Sequence, residues 1–375
     1  MMRKVQRAIV ELKAGYPVLV SNGDEAELVF SVEGLESPSF RAWLGELDSS
    51  TLRLTLTPKR LESLGIECAG AGGVLDVPLD DRDDMAAVVE TVRVLSSECA
   101  PQGGFFSDFG TPGVIQEAGL VLMRQGRLLP ASVSVTVPAA AWSDVHAALY
   151  AQDLIKVEAR DVLAFDGSVA QHLIRISEAQ VPLEGAEETR FVMFREGGGL
   201  REHLALMIGG SANWPDPVPV RMHSACLTGD LFGSLRCDCG EQLRGAVQSI
   251  MAAGGGILLY LAQEGRDIGL ANKLRAYSLQ DKGLDTVDAD QVLGFGEDER
   301  QYGIAVSMLR SLGINRIDLL TNNPAKLQAM RDGGIEVGQR RELLGKVTPH
   351  NRRYLAAKAE RAGHLLETAL KAGGH

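Results

Sequence analysis

Apolar and polar positions divide the chain into two stretches of different texture. RKVQRAIVELKAG repeats its apolar residues at helical spacing and stops at a glycine, and YPVLVS follows as a short strand. TLRLTLT alternates as a half-buried strand does, and PKRLESLGI opens a helix with proline at its first position. DDMAAVVETVRVLSSE predicts a helix whose acidic start suits the helix dipole, and GGFFSDFGTPG predicts a glycine-rich loop. The texture changes near residue 172. HLIRISEAQVPLEGAEETRFVMFREGGGLREHLALMIGG predicts strands joined by turns, with a linker-like break at SANWPDPVP. Strands and helices then alternate. GEQLRGAVQSIMAA sets Leu243, Val247, Ile250 and Met251 on one helical face, and ILLYL reads as the next strand. LANKLRAYSLQD and ERQYGIAVSMLRSLG are predicted helices, and RIDLL a strand. TNNPAKLQAMRDGG is a loop and helix, with Asn323 as N-cap, Pro324 first in the helix, and Gly333 or Gly334 as the stop.

The expected class is α/β (mixed α+β) in two domains, 1–170 and 171–375, each a mixed sheet layered with helices. Ligands in such folds sit at the carboxyl ends of strands, where QEGR and TNNP fall. Two domains suit 375 residues, and 45% hydrophobic with 23% charged residues is an ordinary soluble composition. No apolar run is long enough to cross a bilayer. Glu11 and Lys13 interrupt the partly apolar start, so no secretory leader is expected and the expected location is cytoplasmic. Five cysteines cannot all pair, which favours a reducing compartment. A net charge of −11 argues against nucleic-acid and anionic-membrane partners but leaves an anionic small molecule open. Neither a GxxxxGK[ST] loop nor a GxGxxG fingerprint is present.

CLTGDLFGSLRCDCG holds Cys226, Cys237 and Cys239 at the spacing C-x10-C-x-C. Three ligands with a fourth position open is the pattern of catalytic zinc. The alternative is three small buried thiols, against which Cys237 and Cys239 flank a charged residue and precede Gly240. Cys68 and Cys99 have no partner at metal spacing and read as structural. Around the trio, Arg221, Ser224, Thr228, Arg236, Arg266, Arg275 and Lys326 supply donors for a polyanion.

From about 175 to 367 the sequence resembles GTP cyclohydrolase II. RMHSACLTGDLFGSLRCDCGEQL, QEGRDIGLANKLRAYSLQDKGLDT, LGFGEDERQYG and LLTNNPAKL stand in that family's order and spacing, and NRRYLAAKAERAGHLL extends the match. The resemblance implies hydrolytic opening of the guanine imidazole ring of GTP. The implied products are formate, pyrophosphate and 2,5-diamino-6-ribosylamino-4(3H)-pyrimidinone 5′-phosphate, the first step toward riboflavin. It implies Cys226, Cys237 and Cys239 as zinc ligands, and Arg221, Met222, His223 and Ser224 as a GTP-contacting segment. Gln242, Glu264, Gly265, Arg266, Thr286, Thr321 and Lys326 match further nucleotide contacts, and Tyr277 a tyrosine near the scissile base. Asp298 and Arg300 match a proton acceptor and a nucleophile. A guanidinium stays protonated, so stabilising transition-state charge is the alternative role for Arg300. Magnesium with the triphosphate and a homodimer are also implied.

Two departures stand out. Ala225 replaces the acidic residue of HSECLTGD, and Ala262 replaces the arginine that precedes QEGR; together they can be a lost ion pair. They also motivate a GTP-binding regulatory homologue, or an enzyme halting at the formamidopyrimidine, as alternatives. The first half more faintly resembles 3,4-dihydroxy-2-butanone 4-phosphate synthase, through TLRLTLTPKRLESLGI, DFGTPG and LVLMRQGRL. Where that chemistry needs an acidic metal-binding loop the chain reads SNGDEAELVF, and where it needs a GHTE-like turn it reads GRLLPA. The expectation is a degenerate, non-catalytic domain rather than a bifunctional enzyme.

Overall fold

The computed structural model describes residues 2–47, 51–68, 70–78, 85–98, 109–137, 142–151, 153–165, 173–343 and 348. Cys99, most of the glycine-rich loop and NRRYLAAKAERAGHLL lie outside the described residues. The chain forms two units, Met1–Gly167 with Ala271–Asp298, and Ser168–Leu270 with Glu299–His375.

The first unit carries strands β1 (Val18–Asn22), β2 (Glu25–Ser31), β3 (Thr51–Leu56), β4 (Gly73–Pro78), β5 (Ala131–Thr136) and β6 (Ile155–Glu158). They form one sheet in the order β4-β3-β5-β2-β1-β6. Only β1 and β6 run parallel, so the sheet is mixed. The alternation in TLRLTLT has its expected outcome, with Leu52, Leu54 and Leu56 all at 0% exposure in the core. Phe30 and Phe40 meet there edge to face at 5.0 Å, a preferred aromatic geometry. The helix Pro58–Ser63 begins as its sequence predicts, Thr57 Oγ1 accepting the Arg60 N–H at 3.3 Å. The same hydroxyl donates to the Gly294 carbonyl at 2.7 Å, which ties the 271–298 segment into this unit. SNGDEAELVF folds into the tight hairpin between β1 and β2. GRLLPA becomes the end of the helix Val114–Gly126, capped by Arg127 in the left-handed region, followed by the start of β5.

The second unit carries β7 (Leu173–Gln180), β8 (Thr189–Glu196), β9 (Glu202–Ile208), β10 (Val218–Ser224), β11 (Gly256–Leu261), β12 (Arg316–Leu320) and β13 (Glu336–Arg341). The order is β13-β12-β10-β11-β9-β8-β7. The first four in that order run parallel and the rest antiparallel. The centre is buried on both faces. Along β11, Ile257, Leu259 and Leu261 join the core that holds Ile304, Ala305 and Leu309, whereas Leu258 faces Ala246 and Ile250. The helices Gly303–Ser311 and Cys239–Ala252 therefore cover opposite sides, as parallel strands require. Both units are mixed sheets layered with helices, as expected.

The linker-like break at SANWPDPVP is the connection from β9 to β10 inside one sheet, tied down where Trp214 Nε1 donates to the Ile208 carbonyl at 2.9 Å. Its prolines and glycine-adjacent turn look the same to composition in a linker or within a sheet. One local expectation needs correction. The helix in ERQYGIAVSMLRSLG starts at Gly303 rather than Glu299, whose N–H instead donates to the Arg266 carbonyl at 3.2 Å. Asn323 caps its helix as predicted, accepting the Ala325 N–H at 2.8 Å, a contact worth roughly 1 kcal/mol.

Candidate active site

Because β10, β11 and β12 are parallel neighbours, their carboxyl ends open on one edge of the sheet. The peptides leaving those ends are the Cys226 loop, the residues 262–269 and the Thr321–Asn323 turn, which are the segments singled out by motif.

The Sγ atoms of Cys226, Cys237 and Cys239 all lie within 4.8 Å of one another, and Cys226 and Cys237 are 3.7 Å apart. Zinc–sulfur bonds of about 2.3 Å at tetrahedral angles put sulfurs about 3.8 Å apart, so the Cys226–Cys237 edge has the spacing of a zinc site and the third sulfur lies close by. Packing enforces this approach. A Cβ on Gly229 would lie 2.7 Å from Cys237 Sγ and 3.1 Å from Cys226 Sγ, and one on Gly240 would lie 2.3 Å from the Gly229 carbonyl oxygen. Contact with the Cys226 thiol pushes the Cys237 thiol above its ordinary value, as expected of crowded donors without a cation.

Asp230 ties the loop to the sheet. Its carboxylate accepts the Cys226 N–H at 3.0 Å and the Tyr260 hydroxyl at 2.9 Å, and it pairs with His223 Nε2 at 3.0 Å. Burial holds His223 below its usual range, and burial together with Asp230 pushes Tyr260 upward. Glu264 makes the second tie, accepting the Leu227 N–H at 2.6 Å.

Beside the trio stands a cationic cluster. Arg221 is 6% exposed, donates to the Leu320 carbonyl at 2.8 Å and to Gln242 at 2.7 Å, and keeps a buried Nε without a partner among the described residues. Burial lowers its pKa to about 10. Gln242 in turn donates to Asp238, between the two later cysteines, at 2.5 Å. Lys326 Nζ donates to the Met222 carbonyl at 2.8 Å and sits 5.6 Å from the Tyr302 ring centroid; the Arg300 guanidinium lies 5.4 Å from the same centroid. Two cations thus share one aromatic ring.

Arg221, His223, Ser224, Gln242, Glu264, Gly265, Arg266, Lys326 and Arg300 all belong to the unit that holds the three cysteines. Two expected contacts change character. Met222 is 1% exposed and packs in the core, so its carbonyl rather than its side chain serves the site, and Thr321 at 1% uses its hydroxyl to accept the Asn323 N–H. Tyr277, Thr286 and Asp298 belong to the segment that packs with the first unit. There Lys273 Nζ lies 5.8 Å from the Tyr277 ring, and Thr286 opens a short helix capped by Asp285. Sequence reading missed Asp238, Tyr260 and Tyr302, and saw Asp230 only as a residue between the cysteines, without its partners. Tyr260 hides inside the apolar strand ILLYL, and Tyr302 inside a stretch read as helix.

The two alanines are neighbours. Ser224 pairs with Leu261 in the parallel register, and the Ala225 N–H donates to the Leu261 carbonyl at 2.8 Å, so Ala225 and Ala262 leave adjacent strand ends together.

A three-thiol centre set against buried cations at parallel strand ends suits a metal-assisted hydrolase with an anionic substrate. The family pattern of GTP cyclohydrolase II matches residues 174–342. A GTP cyclohydrolase-2 of Azospirillum brasilense is 41% identical over 97% of this chain and 94% of its own length. A riboflavin biosynthesis protein RibBA of Thermotoga maritima is 55% identical over 44% of this chain and 42% of its own. A solved two-domain 3,4-dihydroxy-2-butanone 4-phosphate synthase of A. baumannii aligns over 91% of this chain and 99% of its own at 17% identity and TM-score 0.34, too loose a likeness to carry an argument. The chain belongs to the GTP cyclohydrolase II family, and it is an enzyme of that family.

Proposed function

We propose that the protein hydrolyses GTP with zinc held by Cys226, Cys237 and Cys239, giving 2,5-diamino-6-ribosylamino-4(3H)-pyrimidinone 5′-phosphate, formate and pyrophosphate. The 3.7 Å sulfur spacing, close to a tetrahedral zinc edge, is the observation that carries this reading. Bound zinc would supply Lewis acidity for hydrolysis at guanine C8 and at the formamide that follows. The protein's own groups do the rest. Asp230 and Glu264 fix the backbone on both sides of Cys226, so the donor set keeps its geometry. Arg221, with its unpartnered Nε, and Lys326 and Arg300 around Tyr302 form a positively charged wall for the triphosphate. Arg300 acts there by stabilising charge, since guanidinium stays protonated. His223, neutral and spent on Asp230, orients rather than contacts the nucleotide.

Gln242, Ser224, Gly265 and Arg266 complete the nucleotide contacts, with Tyr277, Thr286 and Asp298 added as the resemblance assigns them. Magnesium arrives with GTP as its counter-ion rather than as a resident metal. The first unit is non-catalytic. Its buried Glu27 is engaged by Arg53 and by Gln116 Nε2 at 2.6 Å, and the helix cap at GRLLPA holds none of the histidine, threonine and glutamate of the synthase's GHTE-like turn. Homodimerisation and a cytoplasmic location complete the proposal; among the described residues no helix is long and apolar enough to cross a membrane.

The test is incubation of zinc-loaded protein with GTP and magnesium, measuring formate, pyrophosphate and the pyrimidine together. Equal amounts are expected. Pyrophosphate without formate would replace the full reaction with a halted one, and tight GTP binding without either product would replace it with a regulatory role.

A further inference from the structure

Gly265, Arg266 and Asp267 follow one another with φ of +63°, +59° and +77°. Two of these are not glycine, and side chains rarely adopt that left-handed region unless their surroundings hold them there. The restraint is visible. Asp267, 6% exposed, receives Arg201 Nη1 at 2.9 Å, and Arg201 itself is 9% exposed. Arg201 stands just before β9 and far from the motifs, 66 residues from its partner.

Behind it Glu196 lies 4.0 Å from Arg201 and 3.1 Å from His203 Nε2. His203 Nδ1 accepts the Ala262 N–H at 3.1 Å, which places its proton on Nε2 toward Glu196. The cluster therefore grips the turn at both ends, at Ala262 where it leaves β11 and at Asp267. Between the grips are Glu264, which holds the Leu227 N–H next to Cys226, and Arg266, whose carbonyl holds the Glu299 N–H.

We propose that Arg201 is a positioning residue for the reaction: through Asp267 it locks residues 265–267 in the left-handed shape that presents Arg266, and Glu264 just before it, to the nucleotide. This rests on the proposed assignment of that turn to GTP binding. Asp267→Ala removes the tether but leaves Arg201 beside Glu196, so no buried charge is stranded. The expected result is a KM for GTP raised at least ~10-fold with kcat changed less than ~3-fold, at unchanged zinc content and with the variant fully folded at the assay temperature. Asp267→Asn, which tolerates the left-handed region and still accepts from Arg201, is expected to restore KM to within about 3-fold of the parent.

Parent-like KM in Asp267→Ala overturns the proposal, and so does a loss that tracks zinc loss or unfolding. Should Asp267→Ala fail to fold, Arg201→Lys decides, since it keeps the buried charge and loses the planar fork. A several-fold rise in KM supports the proposal there, and an unchanged KM overturns it. Arg266→Ala separates the two levels. If it raises KM while Asp267→Ala does not, the positioning role alone falls; if neither does, the assignment of the turn to GTP falls with it.

Discussion

His223 and Tyr260, from neighbouring parallel strands, stack with ring centroids 5.6 Å apart and converge on one carboxylate, that of Asp230. The cysteine loop thus hangs from the sheet by a side chain that is not a ligand. Asp230→Asn, which cannot accept all three donors, is expected to weaken zinc binding by ~10–100-fold, as other losses of ligand-orienting contacts do. Competition with a chromogenic chelator measures this, and parent-like affinity would remove Asp230 from that role.

His223 also gives a pH signature. Its folded pKa lies below the unfolded value near 6.5 because burial disfavours the charged ring. Its contribution to stability is present above about pH 6.5 and is lost as pH falls through the folded value. Urea midpoints should therefore decline on acidification below about pH 6.5, and less steeply in His223→Gln. Identical slopes for the two proteins would contradict this.

Gly229 has no room for a methyl group among the sulfurs. Gly229→Ala is expected to lose bound zinc and formate production, with a packing cost of about 1–3 kcal/mol confined to that loop. Metal analysis of the purified variant gives the answer directly.

Zinc affinity itself should depend on pH. The raised Cys237 thiol must give up its proton to bind metal, so affinity falls as pH falls, up to about 10-fold per unit for each proton displaced. Calorimetry in buffers of different ionisation enthalpy counts those protons, and a count of zero would exclude thiolate ligation.

The adjacency of Ala225 and Ala262 predicts a coupled pair. Ala225→Glu and Ala262→Arg should each lower kcat/KM or stability, by roughly 1–3 kcal/mol, because each leaves a half-buried charge alone. The double variant should recover most of the loss. Additive losses would mean that the positions do not communicate.

How far the sequence reaches is clear from particular residues. Alternation found β3, cap chemistry found the helix after Asn323, and motif spacing found the three sulfurs, because each is encoded within a few positions. Asp230 was visible as a residue between cysteines, but its partners come from two strands and appear only once the register is known. Asp267 lay inside the QEGRDIG motif, but Arg201 had no local signal, since a buried ion pair between segments far apart in sequence leaves no periodicity. Tyr260 was misleading for the opposite reason, its apolar neighbours making it look like core.

The return of residues 271–298 to the first unit has a consequence for heredity rather than architecture. Thr57 and Gly294, or Glu33 and Arg275 at 3.0 Å, come from opposite halves of the gene yet serve one fold. Recombination that exchanged either half for a foreign one would mismatch such partners, so a crossover near residue 170 would separate residues that one fold needs together.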